Sequence, residues 1–184
     1  MELIRPGIEH VAGFEDALVR GWSPNHMRTT SGKEELERVR ADPQAYLASL
    51  EDFDAKGPPL VLPDGSTISG ISRVRRWMWD GSFCGLIGLR WRKGRVDLPP
   101  QILGHIGFAV VPWKQGRGYA TQALADLLPL ARELGLDHVE LSTDPDNQAS
   151  QRVIAKNGGV YVERFLRDRT HGGTQALRYR IDLK

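Results

Sequence analysis

The sequence predicts one α/β domain of α+β type over residues 1–184, with a central, twisted, mixed and mostly antiparallel sheet flanked by helices. Three features lead there. Apolar residues recur at helical spacing in separate regions of the chain. Two pairs of strand-like segments fold back across Gly-containing turns. One strand, helix, strand run demands a parallel pair.

In chain order, Ile8, Val11, Phe14, Ala17 and Leu18 share a helical face after Pro6-Gly7, and Glu34 to Leu50 reads as one or two further helices. Gly57 to Ser66, with Pro58, Pro59, Pro63 and Gly65, is a turn region that closes this helical half. Ile71 to Trp79 and Phe83 to Trp91 flank Asp80-Gly81-Ser82, a hairpin whose glycine supplies a positive φ. Ile102 to Val111 is the next strand. Tyr119 to Leu134 then sets Ala120, Ala123, Leu124, Leu127, Leu128, Ala131 and Leu134 on one helical face, with Pro129 inside and Gly135 as the terminating residue. His138 to Thr143 is a strand that the right-handed crossover rule sets parallel to 102–111. Asp146 or Asn147 caps a helix to about Lys156, closed by Gly158-Gly159. Val160 to Leu166 and Ala176 to Leu183 form a last hairpin across Thr170 to Gly173.

Composition narrows the function classes. Lys and Arg number 25 against 23 Asp and Glu, a formal charge of +2, which argues for neither a nucleic-acid nor a membrane partner. Cys84 is the single cysteine, so a disulfide framework and a multi-cysteine zinc site are both excluded, and no metal is expected. The first thirty residues are interrupted by charges and hold no signal or membrane segment, which makes the cytoplasm the expected address. Any anion site must therefore be local.

The segment His105 to Thr121 offers one. It runs from a strand through Gly116 and Gly118 into a helix, which leaves backbone N–H groups unpaired at the positive end of the helix dipole. Hydrogen bonds to charged groups are each worth about 1.5–3 kcal/mol, so a few such amides can hold a diphosphate without a basic surface. A Walker loop would need Gly-Lys-Ser/Thr, and a dinucleotide fingerprint would need glycine where Thr121 stands. Glu140, about twenty residues on, keeps a dinucleotide-binding reading open, and a tight strand-to-helix turn with no ligand is the other alternative.

Gln115-Gly-Arg-Gly-Tyr-Ala120 resembles the Gln/Arg-x-x-Gly-x-Gly/Ala motif of the GNAT superfamily of acyl-CoA-dependent N-acetyltransferases. The likeness continues through Val139 to Ser150, with Asn147 in the loop, to Asn157-Gly-Gly159, and looks closest to the ribosomal-protein N-terminal and small-amine acetyltransferase branches. It implies acetyl-CoA as cosubstrate and a small-molecule or peptide amine as acceptor, in a monomer or homodimer. It also implies that Gln115, Gly116, Arg117, Gly118, Tyr119, Ala120 and Thr121 hold the pyrophosphate. Pantetheine would lie beside Ala109, Val110 and Val111, where the parallel strands splay, and an N–H near Val110 or Val111 would stabilise the oxyanion.

Chemistry then needs a base and an acid. A lysine-like ammonium with pKa about 10.4 costs about 4.6 kcal/mol to neutralise at pH 7. His105, early on the strand that reaches the carbonyl site, is the candidate base, against a histidine that merely packs at the sheet. Many relatives use a tyrosine seven residues after the loop asparagine to protonate the thiolate; here that position is Ile154. Ser150 is the candidate acid, or a helix-start serine satisfying a local amide, while Asn147 binds pantetheine, caps its helix, or does both.

Two weaker signals remain. Arg73, Arg75, Arg76, Arg90, Arg92, Lys93 and Arg95 interleave with Trp77, Trp79 and Trp91, which reads as a solvated sheet face ahead of an acidic-partner surface. Trp22, His26 and Met27 sit where this fold lines its acceptor pocket. The expected activity is direct acetyl transfer to a primary amine in a ternary complex; a non-catalytic acyl-CoA-binding module is the rival.

Overall fold

The computed structural model describes residues 1–25, 27–28, 30–62 and 64–183. Its strands are β1 (Glu2–Ile4), β2 (Glu51–Asp52), β3 (Leu60–Val61), β4 (Thr67–Ile68), β5 (Ser72–Trp79), β6 (Phe83–Trp91), β7 (Ile106–Val110), β8 (His138–Thr143), β9 (Val160–Leu166) and β10 (Gln175–Asp182). Its helices are α1 (Val11–Val19), α2 (Ser31–Ala41), α3 (Pro43–Ala48), α4 (Tyr119–Glu133) and α5 (Gln148–Lys156). Hydrogen bonding divides the strands into a sheet ordered β1-β5-β6-β7, with β2 also on β5, a second sheet ordered β8-β10-β9, and the small β3–β4 hairpin. Among the described residues every strand pairing is antiparallel.

The pair expected to run parallel is therefore splayed so far that it forms no ladder. The strand expected at 102–111 is shorter, Ile106–Val110, and its only backbone bond toward β8 among the described residues is His105 N–H to Glu140 O, 2.7 Å. Gly104 permits this approach, since a Cβ there would lie 2.8 Å from Glu140 O. The strands meet at one end and open at the other.

Side-chain period explains the layers. Trp77 and Leu86 face a core with Phe14, Leu18, Val39 and Tyr46 from α1–α3, whereas Met78 and Ile87 face another with Leu124 and Leu127 of α4, Ile154 of α5 and Leu141 of β8. Helices cover both faces, so β6 reads as a nearly continuous apolar run, whereas β5 carries Arg73, Arg75 and Arg76 among its apolar residues. Between Met78 and Trp79 the β5–β6 register shifts by one at Cys84, and Gly85 takes a φ of +148°. A Cβ on Gly85 would stand only 2.2 Å from Ala109 O, so glycine lets β6 lie close against the end of β7.

The arginine-rich hairpin is largely spoken for. Arg76 pairs with Glu51 and Arg75 with Glu35 at 3.1 Å, while Trp77 and Trp91 are buried, so these side chains bind the protein to itself. Glu35 of α2 also accepts from the Tyr46 hydroxyl of α3, which ties both helices to β5. Burial alone would raise the Glu35 pKa, but Arg75 and the Tyr46 hydroxyl more than offset it and hold the carboxyl below its usual range. Glu35→Ala should cost about 3 kcal/mol, because it strands the Arg75 charge and the Tyr46 hydroxyl together. The parent's Glu35 contribution is present above the unfolded carboxylate pKa of about 4.3 and fades as pH falls through the folded value. Urea unfolding at pH 7 and pH 4 should therefore show a larger gap between parent and variant at pH 7.

Candidate active site

Beyond β7 the chain turns through a short 3₁₀ segment, Pro112–Lys114, and two left-handed glycines, Gly116 at φ +77° and Gly118 at φ +78°. Gly118 is the N-cap of α4, whose first internal bond is Gln122 N–H to Gly118 O, 3.0 Å. Among the described residues the N–H groups of Gly116, Arg117, Gly118, Tyr119, Ala120 and Thr121 meet no acceptor. Six unpaired donors at the positive end of a fifteen-residue helix make an anion cradle. Gln115 stands apart: its own N–H goes to Pro112 O, and its side chain donates to Val110 O at 3.3 Å.

Cations near this cradle are unequal. Arg117 is exposed at the loop, whereas Lys114 is held inward by Asp80 and Ser82. Asp80 also accepts from the Tyr119 hydroxyl at 2.7 Å, and the Lys114 and Tyr119 hydrogen bonds hold its carboxyl well below the usual carboxylate range. The β5–β6 turn thus braces the loop, and Tyr119 offers the cradle its amide alone.

Phase along β7 decides which amides face the opening. Arg90 N–H bonds His105 O at 2.8 Å and Val111 N–H bonds Cys84 O at 2.9 Å, so the odd-numbered residues carry the ladder to β6. Ala109 is one of them, opposite Leu86. Phe108 and Val110 consequently direct their N–H groups away from β6, into the gap toward β8. Of the two N–H groups expected to serve an oxyanion, that of Val111 is already used and that of Val110 is open.

His105 lies at the closed end of this gap. It is buried, accepts from Glu140 N–H at Nδ1, 3.0 Å, and has Val96 O at 2.9 Å from Nε2. A carbonyl only accepts, so Nε2 carries the proton and Nδ1 the lone pair. Both nitrogens are engaged. Burial lowers the His105 pKa and keeps the ring neutral, but the expected base has no free nitrogen to offer an amine.

Asn147 caps α5: its side chain accepts from Ser150 N–H at 3.0 Å. Ser150, Ile154 and Asn157 stand along one helical face, and Asn157 Nδ2 reaches Thr121 O at 3.2 Å, so this face adjoins the first turn of α4. The Ser150 hydroxyl makes no hydrogen bond among the described residues. Ile154 is 1% exposed and belongs to the core.

The family model of the acetyltransferase (GNAT) domain matches residues 15–160, including the loop, the splay and α5. The chain belongs to the GNAT family. Solved structures share the fold of this GNAT chain at low identity. The microcin C7 self-immunity acetyltransferase MccE, solved with acetyl-CoA and AMP, has a TM-score of 0.60 at 10% identity, over 98% of this chain and 91% of that one. RimL, a ribosomal L7/L12 α-N-protein acetyltransferase solved with CoA, has 0.61 at 14%, over 98% and 92%. The spermidine N-acetyltransferase SpeG of Vibrio cholerae, as an F149A mutant, has 0.58 at 12%, over 100% and 95%. Comparison with curated proteins found no match.

A cleft of about 860 Å³ opens in this GNAT chain between the β8–α5 connection, Asp144 to Asp146, and the β9–β10 turn, with Met27 and Asp64 on its rim. Met27, one of the three residues expected at an acceptor pocket, is among those that line this cleft. Trp22 is 7% exposed and packs edge-on to Phe14 and Phe83, so it belongs to the core and does not line this cleft. His26 lies outside the described residues. Arg167 is buried in the cleft wall, bonded to Asp144 at 2.6 Å and to Thr174 Oγ1 at 2.8 Å. Beside it Asp168 accepts from His171 at 2.9 Å. The sequence predicts only a plain turn at Thr170 to Gly173. The crowding of Arg167, Asp168, Arg169 and His171 into five residues was the available signal.

Among the described residues no helix is long and apolar enough to cross a membrane, and no group of three or more His, Cys, Asp or Glu could hold a metal ion.

Proposed function

We propose that this GNAT protein is an acetyl-CoA-dependent N-acetyltransferase that moves an acetyl group to a primary amine of a small molecule or peptide by direct attack in a ternary complex. The observation that carries the reading is the row of unpaired amides from Gly116 to Thr121, next to a strand whose Val110 N–H opens into the splay. The amides bind the pyrophosphate, and Arg117 adds its charge. Pantetheine lies beside Ala109 to Val111, and the Val110 N–H stabilises the oxyanion. Ser150 supplies a proton to the departing thiolate, and Asn147 holds that serine in place by capping α5.

His105 has a different task in this reading. Its ring and its backbone both bind Glu140, which makes it the rivet that sets where the strands diverge. It is a positioning residue. A non-catalytic acyl-CoA-binding module is the second reading, favoured by Ile154 in the place of the usual tyrosine.

The test is thiol release from acetyl-CoA across polyamines, aminoglycosides, amino acids and N-terminal peptides, run beside thermal unfolding. Acetyl-CoA at 100 times its Kd should add about 2.7 kcal/mol of stability, a rise in Tm of several degrees. A rise together with thiol release supports the transferase, and a rise with no release on any amine supports the binding module. An unchanged Tm at saturating acetyl-CoA overturns both.

A further inference from the structure

We infer that His171, oriented by Asp168, is the general base that deprotonates the acceptor amine in the cleft at the β9–β10 turn, an assignment that rests on the acetyltransferase reading above. His171 Nδ1 lies 2.9 Å from Asp168 Oδ1. A carboxylate only accepts, so Nδ1 carries the proton and the lone pair sits on Nε2. Among the described residues Nε2 has no partner, and the ring lines the cleft. This is the reverse of His105, whose two nitrogens are both consumed.

The turn holds the pair ready. Gly173 N–H and His171 N–H both bond Asp168 O, at 3.0 and 3.1 Å, and Gly172 and Gly173 take φ values of +76° and +63° to bring the chain round. Thr170 Oγ1 donates to the same Asp168 oxygen at 2.6 Å, so the carboxylate is fixed by its own turn, and the hydrogen bonds from Thr170 and His171 keep it ionised. The ring is 8% exposed, which limits its rotation. Charged groups around it are Asp168, Arg167 and Arg169 on its own turn, Asp144 and Asp146 from the β8–α5 connection, and Asp64 from the β3–β4 hairpin. Asp144 neutralises Arg167, which leaves the wall able to receive an ammonium.

The acceptor R–NH₃⁺ gives one proton to His171 Nε2, and its lone pair forms the C–N bond at the thioester carbonyl. The C–S bond then breaks, the thiolate leaves with that bond pair, and the second nitrogen proton reaches the sulfur. The proton on His171 returns to solvent, so the products are the amide, CoA thiol and one H⁺. A positioned base of this kind contributes about 10²–10⁴ in rate.

Steady-state thiol release with the best amine of the panel, measured over pH 5.5–9, tests the assignment in the parent, His171→Ala and Asp168→Asn. His171→Ala should lower kcat at least 100-fold and keep the acetyl-CoA Tm rise, and added imidazole should restore part of the rate. Asp168→Asn should lower kcat at least 10-fold with little change in KM, since an amide can donate to Nδ1 as well as accept from it and so no longer fixes the lone pair on Nε2. If His171→Ala does not fold, His171→Gln, which can still bond Asp168 and cannot take the proton, carries the same expectation. Unchanged kcat, or a loss confined to KM, overturns the assignment while the active parent leaves the transferase reading standing. A parent that binds acetyl-CoA and releases no thiol with any amine overturns the transferase reading and this assignment with it.

Discussion

Val110→Pro should lower kcat by about 100- to 1,000-fold while leaving the acetyl-CoA-induced rise in Tm in place. Removing one oxyanion donor costs about that factor in enzymes that use one. Proline replaces the N–H with a ring methylene, and at position 110 that N–H points away from β6, because Cys84 and Arg90 bond positions 111 and 105 instead. The ladder is therefore spared, and the φ of proline suits the extended chain that leads to Pro112. Val111→Pro is the matched control: it breaks the 2.9 Å bond to Cys84 O and should cost stability as well as rate. Rates measured at saturating acetyl-CoA decide the matter. If Val110→Pro keeps kcat within threefold of the parent, the oxyanion is held elsewhere.

His105→Ala should destabilise the protein by about 3 kcal/mol and lower Tm by about 6–12 °C, because Glu140 N–H and Val96 O lose their partner together. Burial lowers the His105 pKa, so the unfolded chain takes up that proton at about 6.5 and the folded chain only at lower pH. The stability contributed by the neutral ring is complete above about pH 6.5 and is lost as pH falls through the folded value. That slope should disappear in His105→Ala. At 15 °C, where the variant remains folded, its rate against pH should keep the parent's shape. A rate that loses its limb near neutrality in His105→Ala alone would return the base to His105.

The contrast between these positions shows what a local reading can reach. Gly116 and Gly118 announce the cradle because their positive φ values and the following α4 periodicity are properties of one short stretch. The same holds for β8 and β9, found as expected at His138–Thr143 and Val160–Leu166. β1 was missed because three residues, Glu2–Ile4, are too few to show alternation and owe their strand form to β5. The tertiary frame also moved Trp22 into the core, where the ring edges of Phe14 and Phe83 meet it.

Sequence alone thus determined the order of the longer elements, the glycine loop that opens α4 and the GNAT likeness, all of which follow from short-range spacing and backbone preference. Only the tertiary structure decided which groups are free to act. Whether a histidine offers a lone pair depends on what its other neighbours already take. For His105 the neighbours that answer this are Val96 and Glu140, the latter 35 residues further along the chain. For His171 the answer is the Asp168 carboxylate and an open cleft wall that includes Asp144, a residue brought there only by the pairing of β8 with β10. Hydrogen-bond capacity is saturable and set by packing, so the choice between two histidines rests on the fold.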